Sequence, residues 1–139
     1  MRIWKLLLIP IAGFLLTIFV LSISSGEEEF FKRGRDRGIS FLSGGVGLHE
    51  REILNEMGKS YSLKMIFSNK KGEYLSDVVV KILDQYENTI LTAVSNGPWL
   101  FINLPSETYK LEASVGGDRR RISRINIEGG IQKVVSVQW

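Results

Sequence analysis

From Tyr61 onward the sequence alternates apolar and polar residues with a period of two, and this pattern constrains the chain more than any other feature. Tyr61, Leu63, Met65 and Phe67 fall on one face of an expected strand, with Ser62, Lys64 and Ser68 on the other. Asn69-Lys-Lys-Gly72 supplies a turn, and Val78, Val80 and Ile82 alternate in a second strand. Asp84 to Asn88 is a polar turn leading to a strand over Thr89 to Ser95. Asn96-Gly97-Pro98 breaks that strand, because glycine tolerates positive φ and proline lacks an amide donor. Trp99 to Leu104 follows, closed by Pro105. Tyr109, Leu111, Ala113 and Val115 then form another apolar face. Gly116-Gly117 is a two-residue hairpin signal into Arg119 to Ile127, and Gly129-Gly130 turns the chain toward Ile131, Lys133, Val135, Val137 and Trp139. With no helical stretch between strands, the expected fold is all-β: about seven strands in two packed antiparallel sheets, spanning residues 60–139.

Before the strands lies one segment of helical periodicity. Val46, Ile53, Leu54 and Met57 recur at helical spacing through Leu48-His-Glu-Arg-Glu-Ile-Leu-Asn-Glu-Met57, and Gly58 stands where a helix would stop. Residues 43–59 are therefore expected to hold one short amphipathic helix. Ser43-Gly-Gly-Val-Gly47 lacks both the third glycine of a dinucleotide loop and the Gly-Lys-Ser/Thr of a P-loop, and is expected to be a flexible lead into that helix. Residues 26–42 place Glu27, Glu28 and Glu29 beside Lys32, Arg33, Arg35 and Arg37 with interspersed glycines. They are expected to form a flexible charged linker or a basic arm for anionic headgroups.

Leu6 to Ile23 is an uncharged run of 18 residues, preceded by Arg2 and Lys5 and followed by Ser24, Ser25 and Gly26. A buried core helix is normally amphipathic, whereas this one is apolar all round. The order of charge, apolar run and small residues fits a cleaved signal peptide, and the length also fits a membrane anchor. The flanking charges place the N-terminus on the cytoplasmic side in either case. Residues 1–25 are thus expected to deliver the rest to the periplasm or cell envelope, secreted after cleavage or tethered to the inner membrane.

The segments Tyr74-Leu-Ser-Asp-Val-Val-Val-Lys-Ile82, Ser95-Asn-Gly-Pro-Trp-Leu-Phe-Ile-Asn-Leu-Pro105 and Tyr109-Lys-Leu-Glu-Ala113 resemble the carboxypeptidase regulatory-like domain family, in particular its small exported bacterial members. The resemblance covers Tyr61 to Trp139. It departs at Ser106-Glu107-Thr108, where the family usually carries glycine before the tyrosine. It implies a prealbumin-like, Ig-like sandwich used as an accessory or adhesion module, and it brings no catalytic residues.

Charge and composition narrow function further. Cleavage after Ser24 would remove Arg2 and Lys5, leaving 16 basic against 15 acidic residues, so no global electrostatic case for nucleic acid exists. The absence of cysteine removes disulfides, thiolate metal sites and cysteine nucleophiles. His49 is the only histidine; Glu52 three positions on is a single further ligand, and the pair reads as a solvated helix face. No nucleophile and base, or paired carboxylates, can be assembled, so no enzyme activity, metal or cofactor is expected. Two places could meet a partner. Arg119, Arg120, Arg121 and Arg124 form the densest charge beyond the leader, read either as an edge strand guarded against aggregation or as a docking site for an acidic partner or lipid phosphate. Trp99, just after Gly97-Pro98, is either the lid of the core or an anchor for a protein or glycan. The expected partners are accordingly an envelope protein or glycan, or an anionic lipid surface.

Overall fold

The computed structural model describes residues 31–139; the targeting segment expected over 1–25 and the first residues of the expected linker lie outside them. Nine strands and one helix follow in the order β1 (Lys32–Asp36), β2 (Ile39–Gly44), α1 (Leu48–Gly58), β3 (Leu63–Ser68), β4 (Val79–Leu83), β5 (Thr89–Val94), β6 (Trp99–Ile102), β7 (Thr108–Val115), β8 (Asp118–Asn126) and β9 (Lys133–Gln138). A five-stranded sheet has the order β1-β2-β6-β3-β9, and a four-stranded sheet the order β5-β4-β7-β8. Both sheets contribute to one cluster, with Leu63, Met65, Phe67 and Leu100 from the first and Val80, Ile82, Leu91, Leu111 and Ala113 from the second. Alternation along each strand sends these side chains inward, giving two packed sheets consistent with a β-sandwich.

All seven strands expected after residue 60 are present, at β3 to β9. The added pair, β1 and β2, takes the place, from Lys32 onward, of the flexible linker expected over 26–42. Ile39-Ser-Phe-Leu puts Phe41 into the main core and Leu42 on the opposite face of the same sheet, so this hairpin is bound from both sides. Its two-residue turn sets Arg37 at φ 49° and Gly38 at φ 84°, the positive pair that a tight hairpin requires. The same turn recurs at Gly116 (φ 56°) and Gly117 (φ 81°) between β7 and β8, as the glycine pair predicts.

The expectation of wholly antiparallel sheets is also corrected: β9 pairs with β3 in parallel, from Leu63↔Lys133 to Ser68↔Gln138. After β8 the chain leaves the four-stranded sheet and crosses to the other, so Gly129-Gly130 redirects it instead of closing a hairpin.

Helix α1 lies on the outer face of the five-stranded sheet. Leu54 is buried there with Leu42 and Phe101, flanked by Phe31, Met57, Tyr61 and Trp99. Fully burying one leucine is worth about 1.5–3 kcal/mol, so Leu54 is the main anchor of the helix. Ile53 and Val46, expected on the same stripe, are exposed instead. Gly58 seats the last turn against the sheet: a Cβ there would lie 2.3 Å from the Phe101 ring. The Gln132 side-chain amide donates to the carbonyls of Gly58 (2.8 Å) and Tyr61 (2.9 Å), acceptors at and just past the helix end. Tyr61 packs edge-on against Phe101, outside the core face shared by Leu63 and Met65.

Candidate binding surfaces

Both open sides of the sandwich are closed by side chains that bond to strand edges. On one side β1 lies beside β5, where the Asp36 carboxylate accepts the Thr92 amide (2.8 Å) and the Arg37 guanidinium donates to the Thr89 carbonyl (2.7 Å). The Lys32 ammonium reaches the Val94 carbonyl (3.5 Å) on the same edge. Lys32 and Arg37, expected in a free basic arm, thus cover unpaired backbone of an edge strand, a position that natural sheets fill with charge.

On the other side β8 and β9 are the edges. Arg120 donates through Nε to the Gln138 carbonyl (3.0 Å) and through a terminal nitrogen to the Asp118 carboxylate (2.6 Å). The Trp139 indole N–H returns a bond to the Asp118 carbonyl (3.0 Å), and the Arg120 guanidinium lies 5.9 Å from the Trp139 ring centre. Arg120 is therefore a rivet between the two sheets.

A bulge explains how a strand so rich in arginine joins the fold. Arg120 and Ile122 point toward the sandwich, and strict alternation would then turn Ile125 outward. The register shifts between the Leu111↔Ile122 and Tyr109↔Ile125 pairs, which returns Ile125 to the core and leaves Ser123 and Arg124 at the surface. Arg119 and Arg121 lie on the outer face, where Arg121 pairs with its cross-strand neighbour Glu112. The expectation that Arg119 to Arg124 lies on a sheet edge is met, and its arginines divide into one rivet, one ion pair and two exposed cations.

Among the described residues the outer face of the four-stranded sheet carries no helix, unlike its counterpart. Cross-strand register lines up Thr92, Lys81, Glu112 and Arg121 in one row and Val94, Val79, Ser114 and Arg119 in the next. Glu112 is the register neighbour of both Lys81 and Arg121 and pairs with Arg121. Lys110 pairs with Glu87 at the foot of the sheet, and Arg124 lines a shallow groove of about 290 Å³ with Gln85, Thr108 and Ser123. The resulting surface has Lys81 and Glu112 beside Val79 and Ser114 on its two central strands, with Arg119, Arg121 and Arg124 along the β8 edge.

Trp99 belongs to the layer under α1. Its ring meets Phe101 edge-on at 6.3 Å, and the Lys64 ammonium sits 3.6 Å from its centre. Burial lowers the Lys64 pKa from its ordinary value, while the adjacent ring faces and the Asn55 side-chain oxygen (3.2 Å) receive the cation. Trp99 Nε1 is buried with no hydrogen-bond partner among the described residues. The residue is a lid, over the helix-covered face and not over the main core, and it is not brought near the arginines of β8.

Ser43-Gly-Gly-Val-Gly47 is not the flexible lead expected. Ser43 is fully buried; its hydroxyl accepts the Asn96 amide (2.8 Å) and donates to the Trp99 carbonyl (2.8 Å). Gly97, at φ 132°, comes so close to Gly44 that a Cβ would lie 2.4 Å from its carbonyl oxygen. The two glycine-containing segments thus lock each other. The tetrad Trp99-Leu-Phe-Ile102, apolar on both faces, is the signal that a second layer covers this strand.

His49 is exposed, with Nδ1 3.7 Å from Glu52, and among the described residues no group of three histidine, aspartate or glutamate side chains is placed to hold a metal ion. Among the described residues no helix is long and apolar enough to cross a membrane. Tyr109 is buried and donates to the Pro105 carbonyl (2.8 Å); burial, reinforced by Glu107, pushes its pKa up to about 12. Asp84 organises the turn before β5: bonds from the Asn88 amide and side chain and the Tyr86 amide lower its pKa, with desolvation opposing them. No family model matches the chain, and no curated protein matches it.

Proposed function

We propose that the chain is a non-enzymatic binding module of the cell envelope, carried across the inner membrane by its apolar N-terminal segment, and that it recognises an acidic protein or glycan with the open face of its four-stranded sheet. The observation that carries this reading is the contrast between the two sheets. Among the described residues one outer face is covered by α1, and the other is left uncovered, with Lys81 on a central strand and Arg119, Arg121 and Arg124 along the β8 edge. Guanidinium groups on a rigid sheet favour planar anions such as carboxylates, to which they donate two parallel bonds. Export is supported by the uncharged run Leu6–Ile23 with cations before it and Glu27 to Glu29 after it.

The reading extends to family and topology: residues 61–139 form a carboxypeptidase regulatory-like domain of prealbumin type. Its support is the seven strands after the helix, the two packed sheets and the Tyr109 hydroxyl tied to Pro105 at a strand entry, as in the tyrosine corner of Ig-type sandwiches. In the lipid alternative the same exposed cations meet headgroup phosphates; the linker cations Lys32 and Arg37 are already engaged with β5.

Fluorescence anisotropy with a labelled glutamate-rich peptide, an oligouronate and anionic vesicles tests the proposal. The protein is expected to bind one of the first two saturably, and the triple variant Lys81→Gln, Arg119→Gln, Arg124→Gln to bind it at least tenfold more weakly. Binding to vesicles alone supports the lipid alternative, and equal binding by the folded variant overturns the sheet face as the site.

A further inference from the structure

We infer that the end of the sandwich at which the chain enters is a membrane-contact surface, seated on the lipid interface of the bilayer that holds the N-terminal segment. This rests on retention of Leu6–Ile23 as an anchor. Only seven residues, Ser24 to Phe30, separate that run from the first described residue, and seven residues span at most about 25 Å. A folded body on so short a tether stays at the bilayer surface, and the end facing the lipid is the one bearing Phe31 and Lys32.

That end has the composition of an interfacial surface. Val46 and Leu48, between β2 and the first turn of α1, are 69% and 70% exposed, and Tyr74 nearby is 51% exposed. Arg51 binds these pieces together: its guanidinium donates to the carbonyls of Gly45 (2.9 Å) and Val46 (3.1 Å) and lies 5.0 Å from the centre of the Tyr74 ring. Two aliphatic side chains, a tyrosine and an arginine fixed in one patch match the mix found where proteins rest at headgroup level.

Cations also lie at this end. The Asn69–Gly72 turn belongs to this end, because the Lys70 amide donates to the Trp139 carbonyl (2.8 Å), and it adds Lys70 and Lys71 to Lys32, Arg33 and Arg119. Glu50 in the first turn of α1, Glu73, Asp77 and Asp118 are acids at the same end. At the opposite end Asp84, Glu87, Glu107 and Glu128 lie with Arg37, Arg124 and Lys133, and Lys110 is paired to Glu87. Both ends mix charge, and Lys70 and Lys71 are the cations that the exposed turn offers to anionic headgroups. The strands then run away from the membrane, and the bare face of the four-stranded sheet stands upright beside it.

Tyr86, 76% exposed in the turn before β5, marks the far end and serves as the reference position. The chain has no cysteine, so single cysteines at Val46→Cys, Leu48→Cys and Tyr86→Cys take one polarity-sensitive dye each. The full chain is reconstituted into phosphatidylcholine vesicles with and without phosphatidylglycerol, then floated on a density gradient. The labels at 46 and 48 are expected to emit to the blue and to be quenched by brominated lipid, more so with phosphatidylglycerol, while the label at 86 reports water. Lys70→Glu with Lys71→Glu is expected to lower quenching at position 46 by half or more. Chains that float but report water at 46 and 48 as fully as at 86 overturn the contact surface alone. Chains that fail to float overturn the anchor and the contact surface together.

Discussion

Replacement of Gly97 by alanine is expected to cost far more than the loss of one flexible residue, because two separate demands meet there. Its φ of 132° is a conformation that side-chain-bearing residues occupy at a cost of about 1–3 kcal/mol. A Cβ would also stand 2.4 Å from the Gly44 carbonyl oxygen, a backbone atom that cannot rotate aside. The two segments must separate, and the first bonds to stretch are those of the Ser43 hydroxyl with Asn96 and Trp99, worth about 0.5–1.5 kcal/mol each. The sum is about 2–6 kcal/mol, or about 8–24 °C in Tm at about 4 °C per kcal/mol for a domain of this size. Gly72 is the internal control: its φ is 81°, but no atom lies within 4 Å of a Cβ built there, so Gly72→Ala is expected to cost only about 1–2 kcal/mol of strain. Urea denaturation of both variants, followed by tryptophan fluorescence, measures the difference. Equal losses in the two would mean that the Gly44–Gly97 approach does not hold the two segments together.

Arg120→Ala removes the rivet to Gln138 and is expected to destabilise by about 1–3 kcal/mol, whereas Arg119→Ala stays within about 0.5 kcal/mol; thermal melts of the pair decide whether β8 divides as described. Ser43→Ala leaves the part-buried Asn96 amide and Trp99 carbonyl without their shared partner and is expected to cost about 1–3 kcal/mol in the same assay. Tyr109 ionises only near pH 12, above the ordinary tyrosine value, so the folded state keeps a proton that the unfolded state has already lost. Stability is therefore expected to fall as pH rises from about 10 toward 12. Tyr109→Phe should flatten that slope and abolish the late ionisation in a 295 nm titration, and an unchanged slope would contradict burial of this hydroxyl.

The seven strands after residue 60 were legible because each carries one apolar face and ends in recognisable turn chemistry: Asn69 with Gly72, Asp84 with Asn88, Gly116 with Gly117. The β1–β2 hairpin was not, because Lys32-Arg-Gly-Arg-Asp36 has no apolar face of its own. It pairs along one edge to β2, and its charged side chains reach β5 on the other side, an environment that only the tertiary fold supplies. The signal that could have revealed it is Ile39-Ser-Phe-Leu42, four residues with too much apolar surface for a linker. The bulge in β8 was equally hidden: alternation placed Arg120, Ile122 and Arg124 on one face, and one extra residue exchanges Arg124 for Ile125. For the candidate site, the arginine-rich strand and its edge position could be read from sequence. Which arginines are free could not, since that depends on Glu112 and Gln138 arriving from other strands.

The reading of the bare sheet as the binding face is tested most directly by amide-resolved NMR of the protein titrated with a glutamate-rich peptide and, separately, an oligouronate. The expected result is that with one of them, shift changes concentrate at Lys81, Glu112, Ser114, Arg119 and Arg121 and saturate together, while α1 and the outer face of the five-stranded sheet stay still. Saturable changes centred on α1 or on the Trp99 layer, with the four-stranded face unmoved, would contradict it.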